Sequence, residues 1–211
     1  GGYGTRMVSA FSAAARESGL SIVFSTRYDR GQTTFAKEAR VLAAQRFDAL
    51  FVPDLARRLA LLAPALAQAG LWSSGARRRA PKGRRAVQIL ATADGANAAL
   101  IARAGRYLGG ALLAPGFYPD DRAPGSGALV RIYRQTHGRV PGLLEAFAFD
   151  AVGVLRSHLE RGVSTPAALL SALHGHAARG LTGAIKFDRA GARVGDVALY
   201  EVNGGAIALV P

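Results

Sequence analysis

Residues 47–70 read FDALFVPDLARRLALLAPALAQAG: a short apolar run passes through Pro53-Asp54 straight into an amphipathic helix pattern over about 55–68. A buried run of strand length, handing over to a helix, is the repeating unit of an α/β sheet. The carboxylate at the junction has two readings. Asp54 can cap the helix by accepting backbone N–H groups, worth about 1 kcal/mol. It can also serve a ligand, because ligands of open parallel sheets sit beyond the carboxyl ends of the strands.

The same alternation extends to both sides. Residues 5–19 carry Met7 and Phe11 at helical spacing and end at Gly19, and LSIVFS (20–25) follows as a β-rich run. TTFAKEARVLAAQR repeats the helix pattern, with Thr33 or Thr34 as N-cap and Phe35, Ala39 and Leu42 on one face. Beyond residue 70 come a basic loop, the strand AVQILAT, a helix over NAALIARAG and the strand GALLAP. Strands and helices at this spacing predict an α/β fold, a parallel sheet flanked by helices in a three-layer α/β/α arrangement. After the Gly/Pro-rich stretch APGFYPDDRAPGSG the rhythm changes to three helices near 127–137, 143–161 and 166–178. The chain then closes with the strands GAIKFD, DVALYEVNG and GAIALV, the last two a hairpin around Asn203-Gly204.

Composition narrows the function. The 211 residues are half hydrophobic and can bury a large core, and no run approaches the ~20 apolar residues of a membrane span. Cysteine is absent, which removes disulfides, thiolate metal sites and thiol nucleophiles. The net charge of +13 invites a polyanion partner, but 24 of the 27 basic residues are arginine in an alanine-rich chain, as a GC-rich coding bias would produce. The dense cluster Arg77, Arg78, Arg79, Lys82, Arg84 and Arg85 lies among Gly and Pro in an expected solvated loop, with no aromatic residue for base stacking. Nucleic acid is therefore not the expected partner.

Catalytic patterns fail as well. There is no G-x-S-x-G elbow and no phosphate loop, and GGYG lacks the further glycine of a dinucleotide site. His174 and His176 read as a solvated helix end rather than a metal pair, and His137 and His158 as isolated helix residues. Glu145 and Asp150 stand five apart on one helix, a poor spacing for a catalytic pair. The expectation is a protein that is not an enzyme and holds no metal or cofactor.

Tyr3-Gly4 at a helix start, FDALFVPD, ILATADGANAALIARAGRYLGGALLAPGFYPD, IYRQTHGRVPGLLEAFAFDAVGVL and GLTGAIKFDRAGARVGDVALYEVNGG, in that order, resemble the type I periplasmic binding proteins. The likeness is to the branched-chain amino acid receptors (leucine-binding protein-like) and their penicillin-binding protein activator relatives. It implies two lobes around a cleft, with residues 1–122 and 196–211 in lobe 2 and 123–195 completing lobe 1. It also implies that the chain is a fragment lacking most of lobe 1 and the leading strand of lobe 2.

Carried over by position, the resemblance makes Tyr3, Asp54, Thr92, Ala93 and Asp94 the ligand-binding residues. Asp94 would hold a ligand ammonium, although it stands about one position from the family's glutamate and is one carbon shorter. The implied function is periplasmic binding of an amino acid or similar small metabolite for an ABC-type membrane transporter. The alternative is an activator-like module that binds a peptidoglycan (cell-wall) synthase. Either implies a periplasmic protein, or an extracytoplasmic lipoprotein, exported by a signal sequence. With part of a lobe missing, the apolar helix faces would also favour self-association.

Overall fold

A computed structural model describes residues 2–75, 79–123 and 125–210. Contacts divide the chain into two compact units, Gly1–Pro115 with Leu199–Pro211, and Gly116–Ala198.

The first unit is an α/β sheet. Its elements are α1 (Gly2–Glu17), α2 (Ala36–Ala43), β1 (Ala49–Val52), α3 (Ala56–Gln68), β2 (Leu71–Ser73), β3 (Arg85–Ala91), α4 (Ala98–Ala104) and β4 (Leu112–Leu113). β1, β2 and β4 all pair parallel to β3, with Val52 opposite Ala91 and Ala91 opposite Leu113. The late strands of the chain, Tyr200–Asn203 and Ala206–Leu209, complete the same sheet antiparallel, so the sheet is mixed at one end. Their two-residue loop is Gly204-Gly205, both with positive φ (57° and 87°), as the hairpin turn demands. The core is built from alternate residues of β3 (Val87, Ile89, Ala91) and one face of α3 (Leu59, Ala63, Leu66). Phe11, in the second half of α1, stacks on Phe51 of β1 at 4.1 Å and holds the helix against that strand.

The second unit holds α5 (Gly127–His137), α6 (Leu143–Leu159), α7 (Pro166–His174) and a three-stranded antiparallel sheet of β5 (Ala177–Gly180), β6 (Gly183–Phe187) and β7 (Arg193–Val194). Its small core joins Phe117, Val130 and Ala146, with Val140, Leu143 and Leu181 packed against them. Asp150 of α6 fixes the β5–β6 turn. Its buried carboxylate accepts from the Leu181 N–H (2.7 Å), the Thr182 N–H (3.0 Å) and the Thr182 hydroxyl (2.6 Å). Arg193 donates to the same threonine from the far side, to its hydroxyl at 2.7 Å and its carbonyl at 3.0 Å. Glu145 is instead used locally, accepting from the Gly142 N–H at the start of α6 and pairing with Arg139. Glu145 and Asp150 thus have separate partners.

Several expectations are corrected. Residues 20–25 form no strand: no ladder pairs with them, and Leu20 (62%) and Val23 (61%) are exposed. β1 is an edge strand, but residues 20–25 do not pair with its outer side, so their strand propensity goes unused. Neither Thr33 nor Thr34 caps α2; the cap position falls on Phe35, whose buried ring packs edge-on to Tyr28 at 5.0 Å, so packing places the helix start. α7 ends at His174, and residues 177–180 turn into β5 instead of continuing the helix.

His176 is consequently no solvated helix end, and His158 is not an isolated helix residue. The buried His158 Nε2 lies 3.0 Å from His176 Nδ1. The basic loop divides: Arg77 and Arg78 lie outside the described residues, and Arg79, Lys82 and Arg84 are exposed. Arg85 is half-buried at the start of β3. Its guanidinium donates to the Leu42 carbonyl in the last turn of α2 and the Gln45 carbonyl just beyond it, and lies over the Phe47 ring, so it secures a helix terminus.

Candidate functional site

The strands β1 and β3 run parallel and end level, so the turns that follow them meet. A single parallel bridge joins Leu55 to Asp94, and the Ala56 N–H donates to the Asp94 carbonyl at 2.9 Å. The Thr92 hydroxyl donates to the Asp54 carbonyl at 3.2 Å. Ala93 takes a left-handed backbone (φ 48°) and is fully buried, which turns the chain so that Asp94 follows at a half-buried position. Tyr3, at the start of α1, lies close enough to Thr92 and Asp94 to interact electrostatically with both. All five residues singled out in the sequence therefore lie around one pair of strand ends.

The two carboxylates differ in what they are free to do. Asp54 is largely engaged: one oxygen accepts from the Leu55 N–H at 2.7 Å, and the other accepts from the Tyr28 hydroxyl at 2.8 Å with Arg58 Nε at 3.6 Å. It stands one residue before the cap position of α3, which is Leu55, so it fastens the helix entry without being the cap itself. Asp94 does not cap α4. That role belongs to Asn97, whose side chain accepts from the Ala99 N–H at 2.9 Å.

Electrostatics point the same way. Burial raises the Asp94 carboxyl above the ordinary range, the Tyr3 hydroxyl draws it down, and the negative Asp54 nearby raises it again. Burial also raises the Tyr3 phenol, with Thr92 opposing and the two aspartates adding to the rise. Burial and its bond to Asp54 raise the Tyr28 phenol further still. An acid raised by burial and by a like charge gains from any cation or hydrogen-bond donor placed beside it.

A concavity of about 280 Å³ opens at this point, lined by Leu55, Arg57, Asp94 and Gly95. A larger, open one of about 810 Å³ runs along α2, lined by the exposed Arg27, Asp29 and Lys37 and the half-buried Glu38. That second surface has no dominant charge, and the half-buried Glu38 on it keeps one carboxylate oxygen, Oε2, buried without a hydrogen-bond partner. Tyr28, Arg57 and Arg58 were missed by sequence reasoning. Tyr28 and Arg58 reach Asp54 only through the fold, although Arg58 at i+4 from Asp54 was a legible signal. Among the described residues no group of three or more His, Asp or Glu could hold a metal.

Two polar turns at the ends of parallel strands thus stand beside a small open concavity in an α/β domain. The chain belongs to the periplasmic binding protein family, whose model matches residues 2–206. No curated protein matches the chain.

Among solved structures, it is similar to a putative branched-chain amino acid ABC transporter from Rhodospirillum rubrum (20% identity, TM-score 0.79), covering 96% of this chain and 56% of that one. A leucine binding protein, LivK, from Thermotoga maritima matches at 23% identity and TM-score 0.68, over 99% of this chain and 56% of that one. An ABC transporter solute binding protein from R. palustris in complex with benzoate matches at 17% and 0.67, over 97% and 53% respectively. At these identities the likeness is one of fold, and the chain spans little more than half the length of these relatives. Among the described residues no helix is long and apolar enough to cross a membrane.

Proposed function

We propose that this chain is the solute-binding part of an extracytoplasmic binding protein serving an ABC-type transporter, and that it takes an amino acid or similar small metabolite at the ends of β1 and β3. Tyr3, Asp54, Thr92, Ala93 and Asp94 form the binding surface: Asp94 and Tyr3 touch the ligand, Thr92 and Asp54 hold the two turns in register, and Ala93 shapes the bend. The observation that carries this is Asp94 itself. It is half-buried beside a second carboxylate, and Asn97 does the capping that would otherwise occupy it. An ammonium or amine beside such a carboxylate gains a charge-assisted bond in partly excluded water. The role is binding, without a catalytic step, and the membrane transporter reads the occupied protein.

The test is thermal unfolding against a metabolite panel. At a hundredfold excess over its dissociation constant, a true ligand stabilises the folded chain by about 2.7 kcal/mol. Asp94→Ala should remove that shift while leaving the ligand-free melt close to wild type. A flat response to every amino acid, together with calorimetric binding of a cell-wall synthase fragment, would replace this function with the activator-like one.

A further inference from the structure

Arg57 is the residue at the strand ends that the fold does not explain. It lies in the first turn of α3, which has no acidic residue and carries two arginines. The positive end of a helix macrodipole disfavours cations there, so a basic first turn works against helix stability. Arg58 is compensated by Asp54 and also donates to the Gln32 carbonyl at 3.0 Å. Arg57 is not: among the described residues no hydrogen bond, ion pair or ring contact engages it. It is exposed, yet it lines the same concavity of about 280 Å³ as the half-buried Asp94, and no ion pair joins the two. A cation and an anion thus face one small space without neutralising each other. Leu55 supplies an apolar wall and Gly95 bare backbone.

We infer that Arg57 is the anion-recognising, specificity-determining residue of this site, so that the ligand carries a carboxylate for Arg57 together with an amine for Asp94. This rests on the solute-binding function proposed above and narrows its ligand class to dipolar or acidic amino compounds. The guanidinium fork matches a carboxylate with two parallel N–H bonds, and the helix start behind it adds to the field that attracts an anion. A neutral solute leaves Arg57 unused, and a simple anion without an amine meets repulsion from Asp94 and Asp54.

The experiment is calorimetric titration of the wild-type chain and of Arg57→Gln and Arg57→Lys with two matched pairs, L-glutamate against L-glutamine and L-leucine against L-leucinamide. Within each pair one carboxylate is lost and little else changes. The wild type should favour the carboxylate member of at least one pair by tenfold or more. Arg57→Gln should bring that ratio near unity by weakening the carboxylate member alone, and Arg57→Lys should keep part of it. The ligand-free melting temperature of Arg57→Gln should stay level or rise, since a disfavoured helix-start cation has gone. A preference that survives in Arg57→Gln, a wild type that binds without any preference, or a ligand-free melt that falls would each overturn the role of Arg57 while leaving solute binding in place. If no compound in either pair binds the wild type, the amino compound function fails, and this inference falls with it.

Discussion

Asp150→Ala should be among the most damaging single changes in the second unit. The carboxylate is 7% exposed and accepts three hydrogen bonds at 2.6–3.0 Å, two of them from the consecutive backbone N–H groups of Leu181 and Thr182. Alanine leaves both amides without a partner where water has little access. An unsatisfied buried donor costs about 1–3 kcal/mol, so two of them with the lost threonine bond put the expected loss at about 3–5 kcal/mol. Against a typical total of about 5–15 kcal/mol, that is enough to unfold a marginal domain. Asp150→Asn should fall between, since it keeps one acceptor oxygen but turns an N–H toward the donors. Urea unfolding followed by circular dichroism gives the free energies, and amide exchange at Leu181 and Thr182 localises the effect. A loss below about 1 kcal/mol for Asp150→Ala, with unchanged exchange at both amides, would refute the view that this carboxylate holds the β5–β6 turn.

Three further outcomes follow from the same unit. Gly180→Ala would drive its new methyl into the Asp150 carboxylate, and a loss of about 1–3 kcal/mol in chemical unfolding is expected. His176 is held below its ordinary value of 6.5 by burial, with His158 and Arg161 adding repulsion. The unfolded chain therefore binds the proton more readily, so this contribution is present above about pH 6.5 and declines as pH falls, and His176→Gln should flatten that part of a stability–pH curve. The α6 and α7 side chains Phe147 (43% exposed), Leu155 (41%) and Leu170 (61%) leave an apolar surface, so light scattering should show mass rising with concentration. A monomer at every concentration would contradict this.

How much was legible in the sequence varies by element. The parallel core was legible because β3 alternates buried and less buried residues and α3 shows one apolar face, both local patterns that survive folding. The closing hairpin was legible, but its turn falls one residue later than expected: Asn203 ends the strand paired with Ala206, and the positive-φ positions are Gly204 and Gly205. Residues 20–25 misled because a β-rich composition specifies an extended chain, while a strand needs a neighbour. β5 was hidden for the converse reason. Ala177-Ala178-Arg179-Gly180 has no strand signal of its own and is ordered by its ladder to β6 and by Asp150, 31 residues from Leu181. At the candidate site, the strand-end rule found the aspartates, but whether each was capping or free depended on Asn97, Tyr28 and Arg58, and hence on side-chain directions that no spacing encodes.

The left-handed bend at Ala93 limits how this domain can change over generations. An alanine held at φ 48° sits where L-residues pay about 1–3 kcal/mol, and its methyl has 0% exposure. Any larger or branched replacement would add a steric penalty to a backbone already under load, so the position is open in practice only to alanine and glycine. Arg57 and Tyr3 are exposed, and Asp94 has a half-exposed side chain on a turn whose path is dictated by its predecessor. Drift in what the domain recognises is therefore channelled: mutations at 3, 57 and 94 can alter chemistry while the geometry that presents them is inherited nearly unchanged through residue 93.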